Sequence, residues 1–218
     1  MARKQLLRQP KPAIVVIVDG DDEKWYISQA RSYYPNNAVR SIKIKPELVQ
    51  HKRCRDLFES AHQRIDDGAS SVFLVLDLDT IRKDAKDFND FHNLYAQYLS
   101  VKAGNRSRSN KWMERLIVIV NNPCLEFWYL LHFKPTTKCY NDYIAIRRDI
   151  RSINVLSDYD KSQDYYYNTP DIFTRLGGIK GLEKARLNSK GLTFNIATCN
   201  QTGISEMASL FNFFDTLQ

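Results

Sequence analysis

Val72-Phe73-Leu74-Val75-Leu76-Asp77-Leu78-Asp79-Thr80-Ile81 is the stretch that decides how the chain is read. An apolar run rich in strand formers leads into two aspartates two positions apart, which is how a buried central strand delivers charge to its end. If extended geometry persists as far as Asp79, side chains alternate and both carboxylates face one small volume. Like charges that close repel unless a cation lies between them or one is protonated. The pair therefore reads as a divalent-metal site or as a pKa-shifted acid/base couple. A solvated turn is the plainer alternative, because Asp is common after strands.

Two other segments repeat this design. Ala13 to Val18 is a second uninterrupted apolar run, ending in Asp19-Gly20-Asp21-Asp22-Glu23, and Leu116 to Val120 is a third, ending in Asn121-Asn122. After the first run, Tyr26, Ala30, Tyr33 and Tyr34 recur at helical spacing. A helix beginning near Asp21 or Asp22 follows, and capping alone explains those two acids. Asp19 is not explained that way. Val39 to Lys45 alternates and reads as a short strand exposed on one face, at a sheet edge. Pro46 is expected to open a helix with Cys54, Leu57, Phe58, Ala61 and Ile65 on its apolar face and Gly68 closing it. Beyond Asp79, Phe88, Phe91, Tyr95, Tyr98 and Leu99 form another helical stripe.

Apolar strands alternating with amphipathic helices predict an α/β fold, a mostly parallel sheet flanked by helices. Ligands in such a sheet bind at the carboxyl ends of the strands, near a topological switch point. Asp19, Asp77 with Asp79, and Asn121 with Asn122 stand at three such ends, and this convergence favours one site over three unrelated turns. Asn122 and Pro123 read as the N-cap and first residue of a helix. That places Glu126 in the first turn, as a metal-reaching carboxylate or as a dipole-compensating acid. His132 reads as a helix C-terminal charge or a core hydrogen bonder.

Residues 1–135 form the expected α/β core, and residues 136–218 a helical extension packed on it. The extension carries a helix with Ile144, Ile146, Ile150, Ile153 and Leu156, then a helix from Pro170 interrupted by Gly177, Gly178 and Gly181. A closing amphipathic helix is expected to run from Ile204 through Leu217. Tyr165, Tyr166 and Tyr167 read as packing residues, with base stacking as the alternative.

The bulk properties set limits on function. At 218 residues, 43% hydrophobic and 26% charged, the chain is long enough and apolar enough for a proper core. Its apolar runs are too short for a bilayer. The basic N-terminus lacks a sustained apolar region, so the expected location is cytoplasmic, without membrane attachment. The four cysteines show no Cys-x-x-Cys spacing, which argues against structural zinc and for free thiols. A net charge of +7 with a pI near 9.2 favours a polyanionic partner.

Asn122-Pro123-Cys124-Leu125-Glu126-Phe127-Trp128 with Leu130-Leu131-His132-Phe133 resembles the Asn-Pro-Cys-Phe-Glu-Leu-Trp stretch and Leu-Leu-His-Phe ending of the RloB-like family. That family's core is a Toprim domain of the sort found in topoisomerases, primases and nucleases of phage-defence systems. Asp77-Leu78-Asp79 looks like the Toprim Asp-x-Asp, and Tyr159-Asp160-Lys161 and Cys199-Asn200-Gln201-Thr202-Gly203 look like weaker C-terminal landmarks. The first motif departs from the pattern. Where the family has Glu-Gly and then Thr-Glu before a Tyr, this chain has Asp19-Gly20-Asp21-Asp22-Glu23-Lys24-Trp25-Tyr26, one residue shorter and with Asp for the first Glu.

The resemblance implies a Mg²⁺- or Mn²⁺-dependent, phosphodiester-cleaving Toprim nuclease of an abortive-infection type of phage defence. Its substrate would be DNA or RNA, tRNA included, with room for a partner protein. Asp77, Asp79 and Asp19 are the metal candidates, and Glu23, Asp19 and Glu126 the candidates for acid/base chemistry. Lys24, Arg82 and Lys83, just after the motif strands, are the candidates for phosphate contact. The loop with Arg106, Arg108 and Lys111 is more basic but precedes a strand, so it belongs at the opposite edge. Two rivals stand beside this reading. Asp at position 19 is one methylene short, and misplacement of about an ångström can cost ~100-fold in rate, so a weakened, nucleic-acid-binding or partner-docking protein is one. A haloacid-dehalogenase-like phosphatase with Asp77 as nucleophile and Asp79 as general acid is the other.

Overall fold

The structure is a computed structural model that describes residues 13–46 and 53–217. Strand β1 (Ala13–Val18) leads into helix α1 (Asp21–Tyr33), then a 3-10 turn (Asn37–Ser41) and strand β2 (Lys43–Pro46). Helix α2 (Cys54–Asp66), strand β3 (Ala69–Asp77), the single helical turn α3 (Leu78–Ile81) and helix α4 (Ala85–Lys102) follow. A 3-10 turn (Lys111–Arg115), strand β4 (Leu116–Asn122) and helix α5 (Glu126–Leu131) complete the α/β repeat. The rest comprises α6 (Tyr143–Arg151), α7 (Gln163–Tyr167), α8 (Ile172–Arg175), α9 (Gly178–Asn188), the two-residue strand β5 (Ile204–Ser205) and α10 (Ala208–Asp215).

The sheet order is β2-β1-β3-β4-β5. β2, β1, β3 and β4 are mutually parallel, and β5 pairs antiparallel with β4 through Asn121 to Ser205 and Asn122 to Ile204. The expected α/β, mostly parallel sheet is present. Both faces are covered because strand residues alternate between two apolar layers. Val16, Val18, Phe73, Val75 and Ile119 pack against α1, α5 and the C-terminal helices. Val15, Ile17, Leu74, Leu76 and Val120 pack against α2 and α4. After β1 the chain passes to one side for β2 and then crosses to the other for β3, so the topological switch lies between the carboxyl ends of β1 and β3.

Several local expectations need correction. Pro46 ends β2 rather than opening a helix, and the first described residue of α2 is Cys54, with residues 47–52 outside the described range. The apolar face of α2 is buried as read, and Gly68 closes the element at φ 96°. β2 lies at the sheet edge as expected, but its first residue is Lys43, because Asn37–Ser41 winds into a 3-10 turn capped by the Asn36 side chain. Leu99 and Ile144 are exposed, whereas Val101 completes the buried stripe of α4.

The expected helix with Asn122 as N-cap starts later. Asn121 and Asn122 extend β4, the Asn122–Pro123 peptide is cis, and α5 begins at Glu126. Gly177, at φ 91°, separates α8 from α9, but Gly181 sits inside α9 because the helix passes close to Leu176 there. Ile204 belongs to β5, not to the closing helix: the segment forms a short strand on β4 before α10 begins. Phe194 and Cys199 reach the α2/α4 face, so the C-terminal segment packs on both sides of the sheet. Among the described residues no helix is long and apolar enough to cross a membrane.

Candidate functional site

The carboxyl ends of β1 and β3 and the start of α1 enclose a cavity of about 190 Å³, lined by Asp19, Gly20, Asp22, Glu23, Asp77, Thr80 and Lys161. Asp19 leaves β1 at the switch point. One turn into α1, Glu23 folds back so that Gly20 N donates to its Oε2 at 2.9 Å. This is half of a capping box, and it draws a carboxylate into the cleft while closing the helix end. A Cβ at position 20 would meet the same oxygen at 2.9 Å, so glycine is what lets Glu23 lie there.

Asp77, the last residue of β3, is held on both oxygens. Asn121 Nδ2 donates to Oδ1 and Leu125 N to Oδ2, each at 3.2 Å. Asn121 is itself oriented by Ser205 Oγ, which donates to its Oδ1 at 2.6 Å, so β5 sets the donor that faces Asp77. The chain turns helical at Leu78, and the strand alternation expected to align Asp79 with Asp77 ends there. Asp79 instead accepts from Tyr143 N at 3.1 Å, while its backbone N donates to Pro123 O at 2.9 Å. It remains near enough to Asp19 to act on its ionisation.

Glu126 is fully buried at the start of α5. Its Oε1 accepts from the Tyr159 hydroxyl at 2.6 Å and lies 3.0 Å from Lys161 Nζ. Lys161 also reaches Asp22 Oδ2 at 2.5 Å. The second oxygen, Oε2, is buried and has no hydrogen-bond partner among the described residues. Asp77, Cys124 and Glu126 bring one potential ligand atom each to within 4.8 Å of one another. A buried carboxylate oxygen without a donor, beside a second carboxylate and a thiol, is chemically suited to a cation.

The ionisation of the cluster shows the cost of this crowding. Burial, with Asp79 and Asp87 behind it, raises Asp19 to about 6. Burial, then Asp22 and Asp19, raises Glu23 to about 8. Asp77 is also pushed up, by burial and by the charges of Glu23 and Glu126. Burial works against the Lys161 ammonium, but Glu126, Asp22 and Asp77 outweigh it and hold the proton more tightly than in water.

The structure thus brings Asp19, Glu23, Asp77 and Glu126 to one strand-end region, with Asp79 on its margin. The cationic candidates are scattered. Lys24 is a half-exposed partner of Asp21 at 3.8 Å, and Lys83 is exposed at the margin near Asp19 and Asp79. Arg82 is engaged elsewhere: its guanidinium donates to Cys199 O at 2.6 Å and Asn122 Oδ1 at 3.3 Å, fastening the C-terminal segment to β4.

Lys161, Cys124 and Tyr159 join the site with no role assigned from the sequence, while Asn121, expected at a strand end, gains a specific one in orienting Asp77. The first three lie in the motifs quoted above, so the signal was present, but only folding shows which side of each motif faces the acids. Tyr159, Tyr166 and Tyr129 form a buried hydroxyl chain behind Glu126, with Tyr159 to Tyr166 at 2.8 Å and Tyr129 to Tyr166 at 3.1 Å. Of the tyrosine run, Tyr166 is buried and Tyr167 exposed.

His132 is a core hydrogen bonder, not a helix-end charge. Its Nδ1 lies 3.0 Å from the Leu176 carbonyl and so carries the proton, leaving Nε2 to face the Tyr26 hydroxyl at 3.4 Å. All four cysteines are free thiols.

Neither a curated protein nor a solved structure matches the chain. The family model described as RloB-like protein matches residues 14–211, which spans the sheet, the acidic cleft and nearly all of the C-terminal segment, and the chain belongs to the RloB-like family.

Proposed function

We propose that the protein is a metal-dependent nuclease of Toprim type, acting on the phosphodiester backbone of DNA or RNA. The observation that carries the proposal is the buried, unpartnered Glu126 Oε2 beside Asp77, in a cluster that also gathers Asp19 and Glu23. Carboxylates whose ionisation is opposed by burial and by one another are relieved by a divalent ion. Oxygen donors favour Mg²⁺ or Mn²⁺.

Asp77 and Glu126 would hold the ion from β3 and α5, with Asp19 opposite them and Asp79 supporting from the margin. A bound divalent ion supplies charge for the phosphate and lowers the pKa of a water nucleophile. Glu23, fixed by Gly20 N, would exchange a proton across the cavity, and Asp19 would be the second acid/base group. Asn121 and the Leu125 amide keep Asp77 aimed, and Tyr159 keeps Glu126 aimed. Lys83, exposed near Asp19 and Asp79, would meet a phosphate at the margin.

A second reading, a cleft that binds nucleic acid without cutting it, draws on one observation. Lys161 already neutralises Asp22 and Glu126. Purified protein incubated with single- and double-stranded DNA, RNA and tRNA in Mg²⁺ or Mn²⁺, beside Asp77→Asn, separates the two. Cleavage lost in the variant supports the nuclease. Absence of cleavage with polyanion binding intact supports the second reading, and a phosphoryl group trapped on Asp77 would instead support the phosphatase.

A further inference from the structure

The end of the sheet opposite the acidic cleft holds a different site. A cavity of about 460 Å³ opens there, bounded by α2 and the 3-10 turn before β4, and lined by His62, Asp66, Arg108, Lys111, Trp112, Glu114 and Arg115. His62 and Trp112 stack face to face, with ring centroids 4.5 Å apart and planes 15° apart. Glu114 is bound by Arg106 at 2.6 Å, and the exposed Asp66 lies 3.6 Å from His62 Nε2, a contact that is ionic only with the imidazole protonated. Among the described residues Arg108 and Lys111 make no ion pair, and both are exposed. Arg115 is pinned by its bond to Ala69 O at 3.1 Å, which fixes the cavity against the first residue of β3.

We propose that this cavity binds single-stranded nucleic acid, with backbone phosphates on Arg108 and Lys111 and an unpaired base against the His62–Trp112 pair. The volume suits a nucleotide-sized ligand. Free cations beside an aromatic pair are the combination that tracks a strand without reading its sequence, since phosphate supplies the charge and every base has a π-face. Carboxylate-bearing peptides would use the cations but leave the aromatic pair unused. β3 spans the distance between this cavity and Asp77, about 26 Å at ~3.3 Å per residue. The site is therefore separate from the cleft, and its occupancy does not depend on what the cleft does.

The test is binding of a fluorescein-labelled single-stranded oligonucleotide to the full chain in EDTA, by anisotropy over a range of salt concentrations. Arg108→Ala with Lys111→Ala is expected to weaken binding at least about tenfold and to reduce the log–log salt slope by ~1.4, about 0.7 per lost phosphate contact. Tryptophan quenching on binding should vanish in Trp112→Phe. Lys184→Ala, at an exposed cation of α9 that lines neither the cavity nor the cleft, should bind as the unaltered protein does. Circular dichroism establishes that each variant is folded. Unchanged affinity and slope in the double variant would overturn the proposal. So would equal competition by inorganic phosphate, which would reduce the cavity to an anion hole.

Discussion

Lys161 Nζ lies 3.0 Å from Glu126 Oε1, although the two residues stand 35 positions apart in the sequence. A cation from the C-terminal segment is thus inserted among acids delivered by α1, β3 and α5. The C-terminal segment is in this sense part of the site as well as part of the core.

Replacing Lys161 leaves Asp22 and Glu126 without their cation. Breaking a buried ion pair costs ~3–5 kcal/mol, and the partial exposure of Lys161 reduces that to about 2–3 kcal/mol here. Lys161→Met should therefore unfold at lower temperature in EDTA. Added Mn²⁺ should restore more stability to the variant than to the unaltered protein. Equal Mn²⁺ stabilisation of the two proteins in thermal unfolding would count against a shared cation site.

Tyr159→Phe keeps the ring and removes one donor to a fully buried carboxylate. Leaving such an acceptor short of a partner costs about 1–3 kcal/mol. Denaturant titration should show that loss, and cleavage should fall with it because Glu126 is no longer aimed. A variant as stable and as active as the parent would show that the hydroxyl chain behind Glu126 is dispensable.

Gly203 closes the Cys199–Gly203 landmark for a steric reason. A Cβ there would lie 2.3 Å from the Phe127 ring and 2.4 Å from Lys138 O. Neither can retreat easily, since Phe127 is in α5 beside Glu126 and the other atom is backbone. Gly203→Ala is expected at the upper end of the ~1–3 kcal/mol range for overpacking, read as a lowered melting temperature.

His132 gives a pH dependence of definite sign. Burial lowers its pKa from 6.5 to about 3. Between those values the unfolded chain takes up a proton that the folded chain refuses, so stability is full above pH 6.5 and falls as pH falls towards 3. From pH 7 to pH 5 the loss from this residue is about 2 kcal/mol. Relative to His132→Gln, the parent should lose that much over the interval; parallel stability curves would show that the imidazole is not held neutral. Glu23 acts in the opposite direction, since its raised pKa favours the folded state at low pH and the advantage fades as pH rises from 4.5 towards 8. Comparison with the variant isolates the histidine.

The architecture was legible because strands buried on both faces leave uninterrupted apolar runs, and three of these ended in polar residues that the fold gathers. Asp19, Asp77 and Asn121 could be placed from strand ends alone. Asp79 could not: a strand that becomes a helix at Leu78 gives no warning in its apolar pattern, and the period of two stopped one residue before it was needed. Arg82 read as a phosphate ligand because it follows a motif strand, yet its partners, Asn122 and Cys199, are 40 and 117 positions away. Lys161 was hidden for the same reason. A residue whose partners are all distant in sequence carries no local signature of its role.

The central claim is that strand-end acids form one seat for a divalent ion. Calorimetric titration of Mn²⁺ into metal-free protein, repeated with Asp77→Asn and Glu126→Gln, tests it most directly. Saturable binding to the parent, weakened at least about tenfold in each variant as for loss of a metal ligand or its support, is the result expected. Failure of the parent to bind, or equal binding by all three folded proteins, would contradict it.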